Sequence, residues 1–150
     1  MHSLTQKLIR GLVIAGLSIG TAFAADMNSP VGTWKTIDDA TGKQKGLVQI
    51  TEAGGIYSGK VLKTFRADKP NPICEKCDGD LKNKPVIGMT FLWDLKKDGE
   101  EFEGGKILDP ENGKVYKAKM KLIEGGKKLE VRGFIGISLI GRSQVWVREE

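Results

Sequence analysis

VGTWKTI, residues 31–37, has the composition of an opening β-strand that starts on an aromatic anchor. Trp34 is costly to leave in water and its indole N–H needs a partner, so we expect it to fill one end of a core. Gly32 permits a tight bend just before it. The last apolar stretch of the chain carries Arg148. If an antiparallel sheet closes on itself, the end of this stretch lies beside the first strand, which predicts a cation–π cap of Arg148 on Trp34.

Seven further short strands are predicted after this one, each bounded by turn residues. Glycine is frequent, at 20 of 150 residues, and apolar and polar residues alternate between the glycines, as in strands with one dry face. Asp98-Gly99 predicts a hairpin turn and Gly104-Gly105 a bulge. The predicted strands cover residues 46–52, 56–65, 88–97, 101–108, 115–124, 128–136 and 141–149. The fold class predicted is all-β, an eight-stranded up-and-down antiparallel barrel, because a two-sheet Greek-key sandwich needs longer crossovers.

The N-terminus has the features of a secretory signal peptide over residues 1–24. Lys7 and Arg10 are basic, residues 11–21 are apolar, and Ala22-Phe23-Ala24 has the small-x-small pattern of a cleavage site. We expect cleavage before Ala25 and a single domain over residues 25–150, located in the periplasm or outside the cell. The apolar run is too short to span a bilayer, so we expect no stable membrane insertion.

Charge and histidine content argue against several function classes. The formal net charge is +5, and Lys7 and Arg10 of the predicted leader supply two of the cations. The remaining charges are of mixed sign, which does not indicate a nucleic-acid partner. His2 is the only histidine, so the predicted barrel has no imidazole for a Ser/His/Asp triad or a His-ligated metal. We expect a protein that is not an enzyme and that has neither cofactor nor metal.

Two resemblances rest on motifs of this chain. Gly32-x-Trp34 in the first strand, with Arg148 near the end of the last, resembles the signature of lipocalin and calycin barrels, in which the late arginine lies over the early tryptophan and closes the barrel base. A longer ordered set is similar to a family of secreted bacterial proteins, domain of unknown function 2147: PVGTW at 30–34, C-x-x-C at 74–77 followed by Gly79, GG-x-ILDP at 104–110, NGK-x-Y at 112–116, and RG-x-x-G at 132–136 leading to GR at 141–142. This resemblance implies a lipocalin-like barrel and no established activity. Relative to lipocalins, the chain is short and lacks their long loop over the barrel mouth.

Residues 66–85 are the longest irregular connection and contain both cysteines. In an exported chain, Cys74 and Cys77 favour a structural disulfide. A bond across so small a loop gives modest entropic stabilisation, so it would shape the loop more than hold the fold. Two alternatives stay open. One is a reactive redox pair, although no βαβ setting is visible; the other is a metal site completed by carboxylates such as Asp78 and Asp80.

Large side chains on the predicted inner face are candidates for contact with a small hydrophobic or amphipathic ligand. They are Tyr57, Phe91, Trp93, Tyr116 and Met120. The lysines that alternate with the last two of these, Lys117, Lys119 and Lys121, are interpreted as a solvated outer face.

The last strand supplies candidate polar contacts. Arg142 and Gln144 alternate on one face with Trp146 and Arg148. If that face is inside, Arg142 and Gln144 can receive a carboxylate or another anionic head group, as in the small fatty-acid-binding barrels that the chain loosely resembles. If Val145 faces inward instead, Arg142 is solvated.

Two functional hypotheses follow from these patterns. The first is a periplasmic or secreted non-enzymatic binding protein that holds a small apolar, possibly acidic molecule in the barrel. The second is a filled barrel that acts as an envelope protein–protein interaction or stress module, through its outer face or its Cys74–Cys77 loop. The size of the interior residues separates the two, because eight strands leave an interior that side chains just fill or that holds one small ligand.

Overall fold

The structure is a computed structural model that describes residues 26–149. These residues form eight strands that close into one barrel in chain order, with every neighbouring pair antiparallel and β8 paired with β1. The predicted all-β up-and-down barrel is confirmed, whereas the predicted signal peptide lies outside the described residues. The strands are β1 (Gly32–Ile37), β2 (Gln44–Ala53), β3 (Ile56–Thr64), β4 (Thr90–Asp98), β5 (Glu101–Leu108), β6 (Val115–Ile123), β7 (Lys128–Phe134) and β8 (Gly141–Arg148).

The up-and-down order places successive connections at alternate ends of the barrel. The end we call the base carries the start of β1, the end of β8, and the turns that follow β2, β4 and β6. The end we call the mouth carries the connections that follow β1, β3, β5 and β7. The β3–β4 connection, residues 65–89, is the longest of these and contains one short 3-10 turn, Gly79–Leu81.

The core fills the base and the middle of the barrel, whereas inner residues near the mouth, such as Ile107, Tyr116 and Gln144, are half-buried. Large inner side chains from five of the strands are completely covered, with exposed fractions of 0% or 1%. An internal void that admitted water would leave accessible area on the side chains around it, so these values indicate close packing of the kind found in protein interiors. The most deeply buried of these residues are Trp34, Ile50, Leu92, Leu95, Leu129 and Trp146.

One predicted inner position, that of Trp93, is wrong, because β4 does not alternate regularly. Gly59 pairs with Leu92 while Lys60 pairs with Thr90, so Phe91 is an extra residue in a bulge. Phe91 and Leu92 are therefore both buried, at 6% and 0% exposed. The bulge shifts the alternation, and Trp93 pairs with Lys106 on the outer face, where it is half-buried.

A similar irregularity changes the mouth end of β3. The register of β2 with β3 shifts by one residue between the Leu47–Lys63 pair and the Val48–Val61 pair. The ring of Phe65, just after this end of the strand, is 43% exposed and lies 5.1 Å from Lys63 Nζ. The predicted bulge in β5 is present, since the pairing of β5 with β6 shifts between Phe102 and Gly105.

Candidate functional site

The base of the barrel is closed by Arg148 stacked on Trp34. The two residues pair across β8 and β1, and the guanidinium carbon lies 4.3 Å from the centre of the tryptophan ring. The indole N–H donates to the Pro30 carbonyl at 2.9 Å. Gly32 has a φ of 143°, and a Cβ there would lie 3.2 Å from Arg148 Nη1. Glycine therefore leaves room for the guanidinium.

The guanidinium of Arg148 is held by three backbone carbonyls. Nε donates to Gly126 at 2.9 Å, Nη2 to Ser29 at 2.8 Å and Nη1 to Val31 at 3.3 Å. Burial lowers the pKa of Arg148 from its usual value, while the charge of Asp26 acts in the opposite direction; an arginine nonetheless stays charged at neutral pH. The arrangement joins the chain before β1 to the β6–β7 turn and to β8, which is a structural role.

Three of the inner candidates pack against other side chains of the core. Phe91 lies 5.9 Å from Trp146, ring centre to ring centre, and Met120 is 2% exposed. Tyr57 is half-buried at the base, where its ring meets the ring of Phe102 edge-on at 4.8 Å. These side chains therefore belong to the packed core, and Phe91 and Tyr57 each contact another aromatic ring there.

The remaining inner candidates lie toward the mouth. On β8, Trp146 is 1% exposed and Val145 is 39% exposed, so the face that carries Arg142 and Gln144 is the inner one. Gln144 accepts a hydrogen bond from Trp146 Nε1 at 3.3 Å. Arg142 is at the rim, with a side chain that is 70% exposed and paired with Asp39 of the β1–β2 turn.

Tyr116 is half-buried on β6 near the same end. Its hydroxyl accepts a hydrogen bond from Asn112 Nδ2 in the β5–β6 turn, at 3.0 Å. The mouth thus has a few polar groups, but each of those named here already has a partner within the chain.

The two cysteines form a disulfide that packs against the mouth end of the barrel. Their Cα atoms are 5.4 Å apart, both side chains are buried in the same core as the barrel residues, and Cys74 Sγ lies 3.5 Å from the Pro110 carbonyl oxygen. Gly113 of the neighbouring turn has a φ of 72°, and a Cβ there would collide with the Lys76 carbonyl oxygen. Because a redox-active thiol must be accessible to its partner, this burial favours a structural disulfide.

Reduction of the Cys74–Cys77 bond is expected to lower the free energy of unfolding by about 2 kcal/mol, as the loop-closure estimate gives for so small a ring. The eight strands do not depend on this bond, so the reduced protein should keep its far-ultraviolet circular dichroism spectrum. Urea denaturation with and without a thiol reductant measures the difference. Two free thiols in the denatured, unreduced protein would contradict the bond.

A strongly apolar surface lies outside the barrel, in the β7–β8 loop. Ile135, Ile137, Leu139 and Ile140 are 65%, 58%, 84% and 62% exposed, whereas the next most exposed large apolar residue of the described chain, Val115, is 51% exposed. The loop is ordered by its own backbone, since the Ile135 N–H donates to the Ile140 carbonyl at 3.0 Å. We call these four side chains the apolar loop.

Cations of β5, β6 and β7 face outward beside the apolar loop, and we call them the cationic wall: Lys106, Lys117, Lys119, Lys121 and Arg132. Pairing places Lys106 next to Lys117 and Lys119 next to Arg132. Two of them bind the loop itself, because Lys117 Nζ donates to Gly136 O at 3.3 Å and Arg132 Nε donates to Ser138 O at 2.6 Å.

A groove of about 300 Å³ separates the loop from the wall. Two carboxylates belong to it, Glu101 and Glu130, and Glu101 lies 3.9 Å from Lys119 Nζ. A hydrogen bond with Glu101 raises the pKa of the neighbouring Glu103, as do slight burial and the charge of Asp98. The groove is lined by Glu101, Lys119, Met120, Lys121, Glu130, Arg132, Ser138, Leu139 and Ser143.

The apolar loop is not among the predicted features, although the sequence carries a signal for it. Residues 134–140, FIGISLI, contain five large apolar residues and no charge, between glycines. The predicted seventh strand runs to residue 136, whereas β7 ends at Phe134, which leaves most of this run outside the sheet.

Within residues 26–149, no three His, Cys, Asp or Glu side chains come close enough to hold a metal ion. No helix in the same range has the length and apolar character required to cross a bilayer.

Comparisons with known proteins agree with this architecture. Residues 32–148 match the family described as "Uncharacterized protein conserved in bacteria (DUF2147)". Among solved structures, the chain is similar to protein HP1028 from the human pathogen Helicobacter pylori, which belongs to the lipocalin family: the TM-score is 0.70 at 22% sequence identity, over 81% of this chain and 84% of that one. A search of curated proteins found no match. The fold is therefore lipocalin-like.

Proposed function

The chain belongs to the DUF2147 family, and from its lipocalin-like barrel we propose a non-catalytic binding protein of the bacterial envelope that binds its partner on the outer surface, at the apolar loop and the cationic wall. One observation carries this proposal: the base and the middle of the barrel are filled by side chains, while four large apolar side chains outside it are 58–84% exposed. An exposed apolar cluster of this kind marks an interaction site in soluble proteins.

The filled core supports this role as a rigid scaffold. The apolar loop is held on the wall by Lys117 and Arg132, whose side chains bind its carbonyl oxygens. A loop that is already ordered loses less conformational entropy on binding than a flexible one. Location in the periplasm or outside the cell remains part of the proposal and rests on the predicted signal peptide.

A photo-reactive amino acid at position 139 tests the proposal in living cells. We expect cross-links to an envelope component from position 139, which is 84% exposed, and none from position 62, where Leu62 of β3 is 38% exposed on the far side of the barrel. Equal cross-linking from both positions, or none from position 139, would disprove a binding surface at the loop.

A second candidate is a carrier for a small apolar acid, and the polar groups at the mouth favour it. Arg142 and Gln144 lie on the inner face of β8 near that end, and Arg142 is ion-paired with Asp39. An acid at this place would have to displace Asp39 and move core side chains apart. Native mass spectrometry of protein purified gently from its envelope separates the candidates: the carrier requires a stoichiometric adduct whose removal lowers the melting temperature.

A further inference from the structure

We propose that the surface formed by the apolar loop and the cationic wall docks on a membrane that contains anionic phospholipids. This inference rests on the proposed function and names the partner of that surface. Peripheral membrane binding needs apolar side chains that enter the acyl boundary together with cations that meet lipid head groups. Both are present within one face of the barrel.

The apolar component is the loop itself. Ile135, Ile137, Leu139 and Ile140 stand in water with more than half of their surface exposed. Transfer of one such side chain out of water favours binding by about tenfold or more. Because the loop carbonyls of Gly136 and Ser138 are bound by Lys117 and Arg132, the loop can present its side chains without first becoming ordered.

The charged component is arranged so that cations lie nearest the loop. Residues that pair across β5, β6 and β7 form rows on the outer face of the sheet. The row that ends at Phe134 contains Lys106 and Lys117, and no carboxylate residue is paired with either lysine across these strands. In the next row Lys119 pairs with Arg132. The two carboxylates of the groove, Glu101 and Glu130, occupy the third row, on either side of Lys121.

The balance of these charges favours an anionic surface. Five cations face three carboxylates, those of Glu101, Glu130 and Glu103, the last of which lies beside Glu101 and Lys119. This leaves an excess of positive charge beside the apolar loop. Each lysine or arginine close to an anionic bilayer strengthens binding by about fivefold. The attraction acts over about 8 Å at physiological salt, so it requires that the wall approach the lipid head groups.

A second copy of the chain suits this surface less well. In a two-fold symmetric dimer the same patch meets itself. The cations of one wall would then lie against the cations of the other, with no excess of carboxylate to neutralise them. Charge complementarity therefore selects lipid over self-association.

Sedimentation with vesicles tests the inference on the purified protein. Vesicles of phosphatidylcholine with 30 mol% phosphatidylglycerol, a composition chosen to supply negative charge, are compared with vesicles of phosphatidylcholine alone. We expect binding to the anionic vesicles that is at least tenfold stronger than to the neutral ones and that weakens as salt rises. No binding to anionic vesicles, or equal binding to both, would overturn the inference.

Paired variants assign the binding to this surface. L139S/I140S removes two exposed apolar side chains and is expected to weaken binding at least tenfold. K106E/K119E is expected to weaken binding more than tenfold, whereas K43E/K60E, which reverses two exposed lysines elsewhere, should weaken it less. Equal loss in the test and control pairs would overturn the assignment, and unchanged melting temperatures show that all three variants are folded.

The vesicle and cross-linking experiments fail in distinguishable ways. If position 139 cross-links a protein in cells while anionic vesicles do not bind, the membrane inference is overturned and the proposed outer binding surface stands. If position 139 cross-links nothing and vesicles do not bind, both are overturned.

Discussion

Trp34→Ala is expected to lower the free energy of unfolding by about 3–5 kcal/mol, the range for deletion of a large buried ring. The side chain is 0% exposed, its indole N–H donates to Pro30, and its face carries the Arg148 guanidinium. Alanine leaves a cavity at the base and removes the ring that stacks on a buried charge. Urea denaturation should show the loss, and the melting temperature should fall by about 10 °C or more.

Trp93→Ala is the matched control for this substitution. Trp93 is also a strand tryptophan, but it lies half-buried on the outer face beside Lys106. Its removal leaves no closed cavity, so the loss of stability should be less than half of that for Trp34→Ala. If the two substitutions cost the same, the barrel base is not where the structure puts it.

Arg148→Met is the second substitution with a large expected effect, also about 3–5 kcal/mol. Methionine replaces the apolar stem of the arginine but has no donor, and three carbonyl oxygens, those of Ser29, Val31 and Gly126, lose their hydrogen bonds. A polar group left buried without a partner costs about 1–3 kcal/mol. Chemical denaturation measures the change in unfolding free energy.

Two further arginine variants make this prediction specific. Arg148→Lys should recover only part of the loss, because one ammonium lacks the planar fork that reaches several carbonyls and stacks on a ring. Arg142→Met should cost less than about 1 kcal/mol, since its pair with Asp39 is solvent-exposed. Equal losses at positions 142 and 148 would refute the structural cap.

The filled barrel also bears on how ligands are sought for proteins of this fold. A lipocalin-like architecture directs attention to the barrel centre, yet here the inner side chains contact one another and the most exposed apolar surface is in a loop. The size and the exposure of the inner residues decide whether such a barrel can hold a ligand inside or is filled by its own side chains.

The sequence by itself determined the fold class, the closure and the strand bounds to within two residues. Alternation and glycine-rich turns depend on neighbouring residues, so they are readable along the chain. The predicted β5, residues 101–108, coincides with Glu101–Leu108, and the pairing of Trp34 with Arg148 follows from the order of an up-and-down barrel.

Only the tertiary structure decided what lies inside the barrel and what lies on its surface. A bulge at Phe91 turned Trp93 outward, because one extra residue reverses the side-chain positions that follow it. A second register shift between Leu92 and Leu95 returns Leu95 to the inside. Whether the interior is full depends on how side chains from eight strands meet, and the apolar loop joins the cationic wall only because β5, β6 and β7 are neighbours in the closed sheet. These features arise from contacts between residues far apart in the chain, which no local pattern encodes.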